Sequence, residues 1–380
     1  MNHPVDPRNS LSALVNIRIA PGARPQGEHL SAQAPQPRPP LQRLPLVTLY
    51  LTERCNSRCV TCDYWRHGRT DLDLESVRRL LPSLEQLQTR IALLSGGEPL
   101  LNPQWREIAE VLRSSGLQLW LLTSGLSLAK HAHHAARLFQ SITVSVDGTD
   151  AATYQAIRGL DAFDKVCAGI RAAAARAVPV GIRVTLQRAN YRQLPGFVEL
   201  ARRLDARQVS FLPVDVANPH AFGRTDDFTR DLALQPAEVQ ELGRILSAME
   251  RDYADEFHSG FIAEHPRKLR RIQQYFAAVC GSEPYPPVRC NVTEFSAVIG
   301  ANGHVSPCFF IPGPAASRAG DDLPGALNTE AMTMLRDSIA RGARPECPRC
   351  VCSMWREPGN RAAADFLLPR RAPESSSTDA

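Results

Sequence analysis

Short apolar runs alternate with helix-like segments between about residues 44 and 230. Six runs are rich enough in Leu, Val and Ile to predict buried strands, at 44–51, 91–94, 117–122, 141–146, 178–186 and 208–212. Apolar residues between them recur at helical spacing, as in the segment that Asp73 can cap, where Pro82 predicts a kink or a break. Strands that alternate with helices predict a parallel α/β sheet, and six repeats suit a partial barrel better than a closed eight-stranded one.

The alternation ends after about residue 230. Helical segments are predicted at about 236–252 and 265–279, followed by a β-hairpin in SAVIGANGHVSPC that turns on Asn302-Gly303. A last helix at about 329–341 leads into PECPRCVC. We therefore expect a disordered Pro-rich segment (1–43), an α/β core (44–235), a helical linker (236–285), a small cysteine-rich hairpin-plus-helix domain (286–356) and a disordered tail (357–380).

Composition and charge exclude several classes of partner. Of 380 residues, 43% are hydrophobic and 22% charged, and the formal net charge is +5. No stripe of Lys and Arg is interleaved with aromatic residues, so no nucleic-acid partner is expected. No apolar run approaches the roughly 20 residues that span a bilayer. The first residues lack the basic start and apolar stretch of a signal peptide, which predicts a cytoplasmic protein without membrane association.

The ten cysteines indicate metal or catalytic chemistry, because disulfides rarely persist in a reducing compartment. Cys167 stands alone in a helical pattern and is typical of a small buried hydrophobe. The other nine form two groups: Cys55, Cys59 and Cys62, then Cys280, Cys290, Cys308, Cys347, Cys350 and Cys352.

The first group lies in one loop, CNSRCVTCDYW, directly after the first predicted strand. Its spacing is too tight for two ordinary disulfides and one thiol short of a closed tetrahedral zinc site. Three thiolates from one loop suit a 4Fe–4S cube, in which the fourth iron stays open to another ligand. A structural zinc knuckle is the alternative.

Four motifs at successive strand ends carry a family resemblance. The cysteine spacing, then GGEP at 96–99, TSG at 123–125 and SVDG at 145–148, resembles the radical S-adenosylmethionine (SAM) superfamily over roughly residues 44–220. The resemblance implies a partial (β/α)6 TIM-like barrel with a 4Fe–4S cluster on Cys55, Cys59 and Cys62. It also implies SAM contacts from Gly96, Gly97, Glu98, Ser145, Asp147, Arg158 and Asn190.

Individual roles follow from the same resemblance. Glu98 would face the amino group of SAM, Ser145 and Arg158 its carboxylate, and Asn190 the nucleoside. The aromatic residue that the family has just before the third cysteine is Thr61 here, and Tyr64 or Trp65 could replace it.

The activity implied is reductive cleavage of SAM to methionine and a 5′-deoxyadenosyl radical that abstracts hydrogen from a substrate. An electron donor such as flavodoxin or ferredoxin would be needed. The protein would supply position and exclusion of water around cofactors that carry the chemistry.

The second cysteine group resembles the auxiliary domain of SPASM and shorter twitch proteins. Cys290 and Cys308 flank the predicted hairpin with Gly303 at its turn, and Cys347 and Cys350 form a later CxxC pair. These four residues would hold an auxiliary 4Fe–4S cluster, with Cys280 and Cys352 as spare candidates. A zinc ribbon is the rival interpretation, since CxxC pairs bind zinc equally well.

The substrate stays open between a peptide and a small metabolite such as a sugar or aminocyclitol. Arg183, Gln187 and Asp215, at or near strand ends, are candidates for the substrate pocket. An inactive barrel scaffold with a structural zinc ribbon is a further alternative, which the intact CxxxCxxC and GGEP motifs disfavour.

Overall fold

A computed structural model describes residues 39–224 and 230–356. The strands are β1 (Leu46–Thr52), β2 (Ile91–Gly96), β3 (Gln118–Thr123), β4 (Ser141–Ser145), β5 (Val180–Leu186), β6 (Gln208–Pro213), β7 (Ser296–Ile299) and β8 (Val305–Ser306). The helices are α1 (Tyr64–His67), α2 (Leu74–Gln86), α3 (Trp105–Ser114), α4 (Leu128–Leu138), α5 (Ala151–Arg158), α6 (Phe163–Ala174), α7 (Leu194–Arg203), α8 (Pro236–Asp252), α9 (Ala254–Ser259), α10 (Pro266–Val279), α11 (Leu323–Leu327) and α12 (Glu330–Ala340).

All eight strands form one sheet in the order β6-β5-β4-β3-β2-β1-β7-β8. Strands β1 to β6 are mutually parallel, each joined to the next through at least one helix. The sheet is open, because β6 and β8 stand at its edges and do not pair with each other. The predicted partial α/β barrel is confirmed.

Side chains alternate between two faces of this sheet. One face packs under the helices and is mostly apolar, with residues such as Leu49, Leu94 and Val184 in the main core. The opposite face, which we call the lumen face, has a much smaller apolar cluster around Leu93 and Trp120. Polar side chains occupy most of the rest of the lumen face, so that face is where chemistry can be placed.

The predicted hairpin is confirmed and extends the same sheet. Strand β7 pairs in parallel with β1, and β8 pairs antiparallel with β7. Gly303 at the turn has a φ of 79°, the left-handed conformation that glycine adopts at no steric cost. Pairing with β1 brings the cysteine-rich C-terminal part directly alongside the strand that leads into the first cysteine loop.

Helix α2 departs from the sequence prediction at Pro82. The sequence predicts a kink or a break there; the helix runs from Leu74 to Gln86 without interruption, so a break is wrong. The helix buries Val77, Leu80 and Leu84 on one face, and this packing outweighs the hydrogen bond that proline removes.

The two segments predicted to be disordered lie mostly outside the described residues. Of the first segment, only 39–43 are described, and the backbone N–H of Leu41 donates to Asn328 Oδ1 at 2.6 Å. Within the described ranges, no helix combines the length and apolar character that crossing a membrane requires.

Candidate active site

The first cysteine loop is held by backbone hydrogen bonds to the end of helix α5. The N–H groups of Arg58 and Val60 donate to the carbonyls of Arg158 and Ile157, each at 3.0 Å. Gly159 ends α5 with a φ of 74°, and a Cβ there would lie 2.4 Å from the Arg58 carbonyl oxygen. Only glycine at position 159 therefore allows the loop to approach the end of α5 this closely.

The three thiols of the loop are free and partly buried. Burial raises the pKa of Cys55 to about 11 and that of Cys62 to about 12, and it raises the pKa of Cys59 as well. The positive charge of Arg158 opposes the shift at all three thiols. Metal ligation must therefore displace a proton from each thiol, and Arg158 is placed to favour the thiolate form.

The two glycines of GGEP pack against the backbone that precedes Cys55. A Cβ on Gly96, whose φ is 118°, would lie 2.4 Å from the Thr52 carbonyl oxygen. A Cβ on Gly97 would lie 2.2 Å from that of Arg54. The N–H groups of Gly97 and Glu98 donate to these same two carbonyls, each at 2.8 Å. GGEP thus fixes the path of the chain into the cysteine loop.

Glu98 joins GGEP to the TSG turn. Its side chain has 0% exposure. Oε2 accepts from the Ser124 backbone N–H at 2.6 Å, and Oε1 accepts from the Thr123 hydroxyl at 2.7 Å and the Leu100 N–H at 3.2 Å. Both oxygens of the carboxylate therefore accept hydrogen bonds from the protein, and the side chain links the ends of β2 and β3.

Replacing Glu98 by Gln should destabilise the protein, because one acceptor oxygen becomes an NH2 group facing a buried donor. We expect a loss of roughly 1–3 kcal/mol in the free energy of unfolding. Urea unfolding of the metal-free chain measures it. Glu107→Gln, on an exposed face of α3, is the matched control. Equal urea midpoints for the two variants would contradict the linking role of Glu98.

Asp147 and Arg158 form a buried ion pair next to the thiols. Arg158 Nη1 lies 3.1 Å from Asp147 Oδ2, and Asp147 Oδ1 accepts from the Thr185 N–H at 2.7 Å. Burial acts to lower the pKa of Arg158, but the charges of Cys59 and Asp147 outweigh it and raise that pKa. Arg158 Nε has no hydrogen-bond partner within the described chain, so this guanidinium keeps a donor for a ligand.

Ser145 and Asn190 differ in what they can offer to a ligand. Ser145 ends β4 on the lumen face, is partly exposed, and its hydroxyl forms no hydrogen bond with other described residues. Asn190 is 1% exposed. Its Nδ2 donates to the carbonyls of Asp147 and Thr185, and its Oδ1 accepts from the Gln187 N–H. Ser145 is open to a ligand, whereas Asn190 holds the loop after β5 against SVDG.

A segment that the sequence did not single out contacts the third thiol. Cys62 Sγ lies 3.4 Å from the Phe222 carbonyl oxygen, which also accepts from the Asp63 N–H at 2.9 Å. Phe222 has a φ of 59°, unusual for a bulky residue. Its ring packs edge-on against Phe310 at 5.8 Å between centroids. No sequence motif marks this contact, because both partners are distant along the chain.

The second cysteine group lines an apolar cavity of about 320 Å³. Five cysteines line this cavity: Cys290, Cys308, Cys347, Cys350 and Cys352. Burial raises the pKa of Cys308 to about 12, and Phe310 lies in the same wall. The sixth cysteine of the group, Cys280, lies elsewhere, with its thiol 3.1 Å from the Leu234 carbonyl oxygen. The structure therefore brings together the four predicted ligands and one of the two spare candidates.

Neither thiol group is arranged around a single point. In the part of the chain that the structure describes, no three His, Cys, Asp or Glu side chains converge closely enough to share one metal ion. A mononuclear zinc site needs its four ligands about 2.0–2.3 Å from one atom. Thiols spread around a loop or a cavity are instead suited to a cluster with several irons.

Comparison with known proteins identifies the class. Residues 49–201 match the sequence family described as the Radical SAM superfamily. This matched region contains the cysteine loop, GGEP, TSG and SVDG. The resemblance seen in the sequence is confirmed.

Two curated relatives show how far the sequence similarity extends. An AdoMet-dependent heme synthase of Methanosarcina barkeri is 31% identical over 170 residues, 42% of this chain and 48% of that protein. A PqqA peptide cyclase of Methylorubrum populi is 33% identical over 210 residues, 52% of each protein. The chain thus spans about half the length of the curated relatives that it matches.

Two solved structures share the fold. SuiB of Streptococcus suis bound to S-adenosylmethionine aligns with a TM-score of 0.60 at 13% identity, covering 78% of this chain and 68% of SuiB. The enzyme anSMEcpe with bound AdoMet and a peptide aligns with a TM-score of 0.55 at 17% identity, covering 77% and 82%. At these identities the likeness concerns the fold.

Proposed function

We propose that the protein is a radical SAM enzyme that binds a 4Fe–4S cluster on Cys55, Cys59 and Cys62 and SAM beside it. The observation that carries the proposal is the placement of three free thiols on one loop, with Arg158 acting electrostatically on all of them. Three thiolate ligands leave one iron of a four-iron cluster without a protein ligand. When bound, these cofactors supply the electron and the 5′-deoxyadenosyl radical that removes hydrogen from a substrate.

The residues near the cysteine loop have two proposed roles: some would contact SAM, and others hold the site in place. Ser145 and Arg158 have unused hydrogen-bond donors and suit the carboxylate of SAM. The backbone of Gly96 and Gly97 is partly exposed and suits its amino group. Glu98, Asp147 and Asn190 are almost fully buried and bonded to the protein, so we assign them the role of holding this frame.

For the C-terminal part, we propose an auxiliary 4Fe–4S cluster on Cys290, Cys308, Cys347 and Cys350. The support is that these thiols share one apolar cavity, which excludes water from a cluster. Four cysteine ligands leave no open iron, which favours electron transfer over substrate binding. The proposed division into a radical SAM core (44–235), a helical linker (236–285) and this auxiliary domain (286–356) follows.

The substrate is proposed to be a peptide or a small molecule. Among the relatives, the PqqA peptide cyclase is named for a peptide and the heme synthase for a small molecule, so both classes occur at similar identity. An electron donor such as flavodoxin or ferredoxin is the expected protein partner.

Metal analysis of anaerobically purified and reconstituted protein tests the proposal. We expect about eight irons and eight sulfides per chain, and release of 5′-deoxyadenosine when SAM and a strong reductant are added. About four irons with one tightly bound zinc would indicate that the second cysteine group forms a zinc ribbon and not an auxiliary cluster. A protein without iron–sulfur absorption and without 5′-deoxyadenosine release would be an inactive scaffold.

A further inference from the structure

The inner surface of the barrel bears one charge on its strands. Across β1 to β8, all within the described residues, Arg183 on β5 is the only Asp, Glu, Lys or Arg. It stands in register with Ser145 on β4 and Ser210 on β6. Residues paired in this way in parallel strands point to the same face, so Arg183 projects from the lumen face beside the residue proposed to bind SAM.

Solvent reaches the lumen face from the carboxyl end of the strands. Towards that end, the partly exposed residues of β1 and β3 to β6 all belong to this face: Tyr50, Leu122, Ser145, Arg183, Thr185 and Leu212. Residues of the same strands that pack under the helices are buried. Arg183 is therefore partly accessible to solvent at the carboxyl end of the strands and is not part of the buried core.

Arg183 is anchored but not neutralised. Its Nε donates to the Ser210 hydroxyl at 2.7 Å, which fixes the orientation of the guanidinium. The two terminal nitrogens have no hydrogen bond, and no carboxylate lies within 4.0 Å of them in the described chain. A fixed guanidinium with two free terminal nitrogens matches the two oxygens of a carboxylate.

Glu264, an acidic group whose charge interacts with that of Arg183, already has other partners. Glu264 Oε2 accepts from the Phe211 N–H at 2.8 Å, and its Oε1 lies 3.7 Å from Lys268 Nζ. Burial raises the pKa of Glu264, while the charges of Lys268 and Arg183 act to lower it. Two cations therefore face one carboxylate, and the local charge favours an anionic ligand.

We propose that Arg183 binds a carboxylate group of the substrate in a bidentate manner, so that the substrate of this enzyme is an acid. The inference rests on the proposed function and specifies its substrate class. The carboxylate comes either from a small organic acid or from an acidic residue of a peptide, and both present the same two oxygens.

Arginine labelling with phenylglyoxal on the reconstituted full chain, followed by peptide mapping, tests the proposal. We expect Arg183 to be labelled, and glutarate or acetyl-Ala-Glu-Ala-amide to slow that labelling roughly tenfold relative to the neutral glutaramide or acetyl-Ala-Gln-Ala-amide. Protection by glutarate alone indicates a small acid, and protection by the peptide indicates a peptide substrate. Equal rates with the acids and their neutral counterparts would overturn the proposal, as would failure to label Arg183.

A second measurement separates this inference from the proposed function. Arg183→Gln should retain about eight irons per chain, because Arg183 is not a cluster ligand in this proposal. Arg176→Gln, in the exposed turn after α6, where the guanidinium donates to the Ala172 carbonyl, is the matched control. Protection of Arg183 by SAM alone would assign it to the SAM site. A second outcome is that Arg183→Gln changes the reduction potential of the auxiliary cluster while carboxylates do not protect Arg183 from labelling. Arg183 would then tune the cluster by its charge. Either result refutes carboxylate binding.

Discussion

Replacing Cys55, Cys59 and Cys62 together by Ala is expected to abolish release of 5′-deoxyadenosine and to remove about four irons per chain. The physical reason is that these thiols are the whole protein ligand set of the proposed first cluster, and no other cysteine lies in their loop. Iron and sulfide analysis and chromatographic detection of 5′-deoxyadenosine measure the two effects.

The control for this variant is Cys167→Ala. Cys167 is buried in α6, away from both thiol groups, and its loss should cost only the packing of one sulfur. This control should retain about eight irons and full SAM cleavage. Continued SAM cleavage in the triple variant would rule out the assigned role of the loop.

Replacing Cys347 and Cys350 by Ala is expected to remove the second set of about four irons while SAM is still cleaved to 5′-deoxyadenosine. The two thiols are half of the proposed ligand set of the auxiliary cavity, which lies outside the loop that holds the first cluster. With the natural substrate, product formation should stop although SAM is consumed. Unaffected turnover would show that the second group serves structure alone.

Two further variants sharpen this result. Cys280→Ala changes a cysteine outside the cavity and should retain about eight irons. Cys352→Ala changes the fifth thiol in the cavity wall and should also retain them, because four ligands remain. Loss of iron from Cys352→Ala would show that Cys352 is a cluster ligand in place of one of the four proposed cysteines.

The elements of the α/β core could be predicted because their signals are local. The ends of each predicted strand of the core lie within two residues of the observed ends, since short apolar runs have few alternatives in a parallel sheet. The exception in this region is Pro82, where helix packing prevailed over a local rule. The pairing of β7 with β1 was not predictable, because a four-residue strand has no sequence signal for its partner.

The candidate site likewise has features that could be predicted from the sequence and features that could not. The spacing of Cys55, Cys59 and Cys62 pointed to their chemistry because ligands on one loop are necessarily close in space. The sequence predicted that Glu98 contacts SAM, but it could not show that the same carboxylate also accepts hydrogen bonds from Thr123 and Ser124. Phe222 was not anticipated, since its contact with Cys62 spans 160 residues.

By itself, the sequence determined the class of fold, the superfamily and the two groups of thiols, because repeated hydrophobic patterns and close ligand spacing are properties of short segments. Only the tertiary structure decided which cysteines share the second cavity, which polar groups are already bonded to the protein, and that Arg183 lies beside Ser145 on the lumen face and is anchored by Ser210. These features depend on side chains from distant segments meeting at one place, and the free energy that brings them together comes from packing of the whole chain.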